Sequence, residues 1–179
     1  MDIEELRALQ APLKDHYRNE PDAAVVTLHA EGEIGEGAIA CSVATGRALV
    51  EAGLHPASGG TGAQACSGDM LLQALVACAG VTLKAVATAL EFRLNGGRVL
   101  AEGDLDFRGT LGVDKSAPVG FRSIRLRFQL YTDETPERIA TLEKLTERYC
   151  VVLQTLKTPA ALSVVTTADG GRGEPASSS

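Results

Sequence analysis

Residues 66–90 read CSGDMLLQALVACAGVTLKAVATAL, and the fold turns on what that stretch is. Apolar side chains at Met70, Leu71, Ala74, Leu75, Cys78, Val81, Ala85, Val86, Ala89 and Leu90 cover most of a helical circumference in places. That is the pattern of a helix enclosed by a sheet and a partner element. Ser67 is a good N-cap residue, and Asp69 sets a carboxylate in the first turn, where the helix dipole favours an anion. The segment approaches bilayer-spanning length, but Gln73, Thr82, Lys84 and Thr88 interrupt it, and an unpaired central lysine is costly in hydrocarbon. The stretch therefore predicts a buried core helix, ended by the turn residues Asn95, Gly96 and Gly97. It also poses a chemical question. Cys78 lies on an apolar face of this helix and Cys66 just outside its start. Buried cysteine is commonplace as a small hydrophobe; the other reading is a reactive sulfur presented to a pocket.

Working outward, strands flank the helix on both sides. Alternation at Ala24, Val26, Leu28 and Ala30 predicts a half-buried strand. Gly32, Gly35 and Gly37 predict a turn, Ile39, Cys41 and Val43 a second strand, and Ala48–Val50 a short third one. After the helix, Val99, Ala101, Leu105 and Phe107 alternate with Glu102, Asp104, Asp106 and Arg108. Ile124, Leu126, Phe128 and Leu130 alternate with Arg125, Arg127, Gln129 and Tyr131. Two antiparallel strands with one wet face follow, the acidic side of one pairing with the arginines of the other. Residues 133–156 read as a second helical region, with Thr135 as cap, Pro136 at the first position and Glu137 in the first turn. AALSVVTTA (160–168) predicts a closing strand. Residues 1–22 form an N-terminal helical extension in which Pro12 marks a break or kink. Residues 23–168 make one domain, and 169–179 a small, polar, disordered tail. The class is α+β.

The chain has 179 residues, 45% of them hydrophobic and 22% charged, enough for one core without a staple. A net charge of −6 and the absence of tryptophan argue against nucleic acid and anionic membranes as partners. The acidic, amphipathic start MDIEELRALQ does not read as a secretory signal, so a cytoplasmic protein with reduced thiols is expected. Cys41, Cys66, Cys78 and Cys150 form no CxxC pair. With His16, His29 and His55 scattered, no zinc spacing emerges, and no metal or organic cofactor is expected. GGTG (59–62) lacks the Lys-Ser/Thr of a phosphate loop, and no serine sits in a GxSxG elbow.

SGDMLLQALVACAGVTLKAVA resembles the cysteine helix of the OsmC/Ohr family, and LTERYCVVLQTLKTPAALSVV is similar to that family's second-cysteine segment. The order of elements agrees as well, over roughly residues 23–168. The resemblance implies antiparallel sheets wrapped around long central Cys-bearing helices in an intertwined homodimer. It implies a thiol peroxidase acting on organic hydroperoxides and recycled by an external dithiol reductant. Carried over, Cys78 is the peroxidatic cysteine and Cys150 the resolving one. Asp69 takes the acidic position, usually Glu, that holds a catalytic arginine; Arg47 is the candidate by order along the chain. Val151 stands where many members have proline, which points to a branch lacking that residue. Cys66, near a helix start, reads first as a structural or bystander residue, with an alternative resolving or sensing thiol as the second reading. The rival expectation is a non-enzymatic small-molecule-binding dimer of the same fold with structural cysteines.

Overall fold

The computed structural model describes residues 3–34, 42–43 and 52–166. The expected first helix is α1 (Ile3–Asn19), and Pro12 sits inside it without ending it. After a single 3-10 turn the chain enters β1 (Val25–Ile34), followed by the short strands β2 (Ser42–Val43), β3 (Ala52–Gly53) and β4 (Ala65–Cys66). Then come α2 (Ser67–Ala89), β5 (Gly97–Asp106), the one-turn α3 (Phe107–Thr110), β6 (Phe121–Leu130), α4 (Pro136–Tyr149) and α5 (Val151–Lys157). The predicted third strand at Ala48–Val50, Cys41 and Arg47 lie outside the described residues, as does the tail 169–179.

The main sheet is antiparallel throughout, in the order β2-β1-β5-β6, while β3 and β4 form a separate parallel pair. The wet face behaves as its charge pattern requires. Glu102 stands opposite Arg125 and Asp104 opposite Ser123. Arg125 reaches Asp104 at 2.5 Å and Glu102 at 3.4 Å, so its charge is taken up within the sheet. One residue expected on the wet face is buried instead. The register irregularity falls on β6, which passes Arg122 between the partners of Asp104 and Leu105, while β5 stays in register with β1 to its end, and Asp106 is 1% exposed. A buried carboxylate needs a partner; Arg108 holds it through Nε at 3.0 Å and an Nη at 2.6 Å, which keeps its carboxyl below the usual range. Phe121 packs over the same strand because Gly103 has no Cβ: one built there would meet the ring at 2.5 Å.

Against the dry face lies α2. Leu72, Leu75, Val76, Ala79, Leu83 and Ala87 are buried with Val99 and Ala101 of β5 and Leu142 of α4. By length and composition α2 could cross a membrane, yet half of its apolar window is buried inside the chain, as in a core helix. Its cap is Cys66 rather than Ser67, which is the first helical residue. Its far end is closed by Arg138 of α4, which donates to the Leu90 and Glu91 carbonyls at 3.1 and 3.3 Å and lies over the Phe92 ring.

Two expectations about the C-terminal third change. The second helical region is two helices, divided at Cys150. The closing strand is not paired: residues 159–166 carry no regular structure, with Leu162, Val164 and Val165 at 89, 91 and 85% exposure. Strand propensity needs a neighbouring edge to act on, and among the described residues the segment has none.

Candidate functional site

The break between α4 and α5 builds the site. Thr135 caps α4, its side chain accepting the Arg138 N–H, and the helix runs to Tyr149. Cys150 then takes an extended conformation, φ −73° and ψ 107°. Its N–H still reaches the Thr146 carbonyl at 2.9 Å, and its own carbonyl accepts the Gln154 N–H at 2.9 Å, so one helix stops and the next starts on a single residue. Val151 and Val152, β-branched and weak helix formers, follow the break. Gln154 Nε2 bonds the Glu147 carbonyl at 2.6 Å and Lys157 pairs with the Glu147 carboxylate at 3.0 Å, tying α5 back onto α4.

The first turn of a helix has N–H groups without intrahelical partners. Here they meet sulfur. Val151 and Val152 donate backbone N–H groups to Cys78 from α2, and Leu153 and Val152 donate to Cys150. The two thiols also touch, with Cys150 donating to Cys78, and the Thr82 hydroxyl adds a further hydrogen bond to Cys78. Burial works against a Cys78 thiolate, but these donors outweigh it and the thiol is drawn below its ordinary value. Cys150 goes the opposite way: complete burial and its donation to Cys78 push it up to about 11. Both cysteines are unpaired thiols. The donors that draw Cys78 down are uncharged.

A groove of about 670 Å³ lies between the helices that carry the pair and β6, lined by Leu71 and Leu75 of α2, Ile124, Leu126 and Phe128 of β6, and Leu153 and Leu156 of α5, with Arg122, Glu143 and Lys157 among its polar residues and neither cysteine in its lining. Leu71, Leu75 and Cys78 follow one another on one helix face at intervals of four and three.

Asp69 is elsewhere. It stands about 13 Å of helical rise before Cys78, half-buried, and burial raises its carboxyl while His55 and His29 pull it down. His55 stacks on Phe107 at 5.0 Å and accepts the Ala57 N–H at Nδ1. Cys66 and Ser67 share a separate cavity of about 400 Å³ with His55. Of the four residues singled out in the sequence, the structure brings Cys78 and Cys150 together, sets Asp69 apart, and does not describe Arg47. Sequence reasoning missed the donors of Val151, Val152 and Thr82. The signal for Thr82 was its place one turn after Cys78; the backbone donors had none, because the break at Cys150 is not written in propensity.

An α+β domain with two thiols in contact at a helix break, beside an apolar groove, defines a dithiol protein of the mixed sheet-and-helix class. The OsmC-like protein family model matches residues 60–165, more than half of the chain, so the chain belongs to the OsmC-like family. Among solved structures, it resembles an OsmC-like hydroperoxide resistance protein from Jannaschia sp. CCS1 with a TM-score of 0.58 at 18% identity, over 83% of this chain and 97% of that one. That likeness is one of fold. A search of curated protein sequences gives no match.

Proposed function

We propose that this protein is a cysteine-dependent thiol peroxidase that reduces organic hydroperoxides. The observation that carries the reading is the contact between Cys78 and Cys150, with their acidities shifted in opposite directions. The thiolate is the nucleophile in such chemistry, so the acidic partner attacks and the other stays protonated until needed. Cys78 sulfur attacks the terminal peroxide oxygen, the O–O bond breaks, and the departing alkoxide takes a proton to become an alcohol. Cys78 is then a sulfenic acid. Cys150 sulfur attacks it, an S–S bond forms, the Cys150 proton is released, and the hydroxyl leaves as water. An external dithiol returns two electrons and restores both thiols. The apolar groove supports an organic rather than a purely aqueous peroxide, as does the hydroperoxide resistance role in the name of the related structure.

The functional unit in this reading is a cytoplasmic homodimer. Support comes from apolar surface that one chain leaves bare. Leu162, Val164 and Val165 form a strand-like run without an edge, and Met70 and Val81 on α2 are 38 and 40% exposed. Asp69 orients an arginine in this scheme, with Arg47 assigned that part. The second reading, a small-molecule-binding dimer with inert cysteines, draws on the same groove and on the uncharged character of the donors to Cys78 among the described residues.

The deciding experiment is intact-mass analysis and peptide mapping of the reduced protein after one equivalent of cumene hydroperoxide. A rapid Cys78–Cys150 disulfide is expected, with a sulfenic acid trapped at Cys78 in Cys150→Ser. Unreacted thiols overturn the enzyme in favour of the binding protein, and a Cys66–Cys78 link reassigns the resolving residue.

A further inference from the structure

The far end of α2 closes without the glycine that such ends usually take. Glu91 turns the chain at φ 50°, in the left-handed region that a β-carbon resists. The Phe92 N–H returns to the Ala87 carbonyl at 2.8 Å and the Glu91 N–H to the Thr88 carbonyl at 3.2 Å. The next two carbonyls, of Leu90 and Glu91, are taken by one Nη of Arg138 from α4, at 3.1 and 3.3 Å, with the guanidinium over the Phe92 ring. Glu134 holds that guanidinium by Nε at 2.6 Å and accepts the Arg93 N–H at 2.8 Å with its other oxygen. Thr132 donates to the Arg93 carbonyl at 2.6 Å. The connection from α2 to β5 is thus stitched to the connection from β6 to α4.

Arg138, Leu142, Thr146 and Cys150 follow one another at intervals of four on one face of α4, and the last three are buried. That face meets α2: Leu142 and Cys150 share a core with Leu75, Ala79 and Leu83, and Cys78 packs against it. Twelve residues separate Arg138 from Cys150, and twelve separate Cys78 from Leu90. Each interval is about 18 Å of helical rise. A helix pinned at the end of α2 and running back along it therefore reaches the level of Cys78 as it ends. We propose that Arg138 is a positioning residue for the thiol pair: its clasp on the end of α2 sets the register of α4 and brings Cys150 level with Cys78. Register matters on this scale. A slip of one residue shifts a side chain by about 1.5 Å and turns it by about 100°, whereas a disulfide accepts Cα separations over a window of only about 2.4 Å. The inference deepens the peroxidase reading and rests on it for the purpose of the pair, though the pairing itself can be measured without any peroxide.

The test is the equilibrium of the Cys78–Cys150 disulfide with glutathione, read by peptide mapping on the full chain. The two protein thiols give up two electrons and two protons, the S–S bond of glutathione disulfide breaks, and two glutathione thiols form. Wild type, Arg138→Gln, Glu134→Gln and Val99→Ala are compared below their melting temperatures. The Arg138 side chain is 46% exposed, which weakens its bonds. Arg138→Gln is expected to lower the effective concentration of one thiol toward the other about fivefold. Glu134→Gln lowers it by a smaller factor, since the arginine keeps its carbonyl partners, and carries the test if Arg138→Gln does not fold. Val99→Ala thins the same core without touching the clasp; it is expected to melt lower with the equilibrium unmoved. An unmoved equilibrium in every folded clasp variant overturns the proposal, as does an equal shift in Val99→Ala, which assigns the effect to stability at large. A wild type that forms no such disulfide overturns it too. Hydroperoxide consumption is measured alongside. A shifted equilibrium without consumption keeps the Arg138 role and removes the peroxidase reading; consumption with an unmoved equilibrium does the reverse.

Discussion

Cys66 and Cys150 occupy the same formal place. Each is the N-cap of a helix, and each has extended backbone angles. At Cys150 the capped helix meets a second thiol, and four groups converge on Cys78. At Cys66 the thiol is half-buried, with a histidine, two serines, a threonine and apolar residues around its cavity. A helix start stabilises a thiolate only where a sulfur is delivered to its N–H groups. In this fold the delivery comes from the middle of α2 to the start of α5, so the cap residue itself is the less acidic partner.

That contrast can be broken most sharply by single serine substitutions. Cys78→Ser is expected to reduce hydroperoxide consumption to background, and Cys150→Ser to allow one turnover that stalls at the sulfenic acid. Cys66→Ser leaves the steady-state rate unchanged, checked by alcohol formation with an added dithiol. Next in size is the alkaline limb of stability. Cys150 titrates at about 11 in the fold, above the usual cysteine value. A raised folded-state value means stabilisation that is complete below the unfolded pKa and is lost as pH rises through the folded one. Urea unfolding of reduced wild type is expected to weaken by on the order of 2 kcal/mol between about pH 8.5 and 11 relative to Cys150→Ala. The disulfide form lacks that loss.

A smaller effect separates backbone from side chain at the break. Val151→Pro removes one N–H from Cys78 while meeting no backbone obstacle: position 151 is the first helical residue, where proline is tolerated, and Cys150 already has the extended angles that precede proline. Near-wild-type melting with Cys78 alkylation slowed a few-fold at pH 7 is expected, since Val152 still donates. An unaltered alkylation profile would remove the backbone from the account. The smallest effect concerns Thr146, one turn before Cys150. Its hydroxyl is, among the described residues, the buried side-chain polar atom without a hydrogen-bond partner. Thr146→Val is expected to leave stability unchanged or raise it by up to about 1 kcal/mol in urea unfolding.

The hydrophobic periodicities were sufficient to set α2, β5, β6 and α4, because each presents one face to a common core and so repeats at its own period. The charges of Glu102, Asp104 and Arg125 were readable for the same reason: opposite residues on neighbouring strands have to match. Asp106 was expected wet, because alternation assigns a face to a residue but carries no mark of what covers the end of that face, here Arg108. The run at 160–168 had β composition, but composition does not supply the edge that a strand requires, and its described part, to residue 166, is exposed.

By itself the sequence determined that a long apolar helix would carry Cys78 into the interior of an α+β domain, and that a second cysteine would follow within a later helical region. It determined the resemblance to the OsmC/Ohr family as well. Only the tertiary structure decided that the later helix breaks at Cys150, that the freed amides and the Thr82 hydroxyl converge on Cys78, and that Asp69 belongs to a different cluster. Periodicity follows from local geometry and is legible along the chain. Hydrogen bonds to a sulfur join atoms from separate elements, and their positions exist only once those elements have packed.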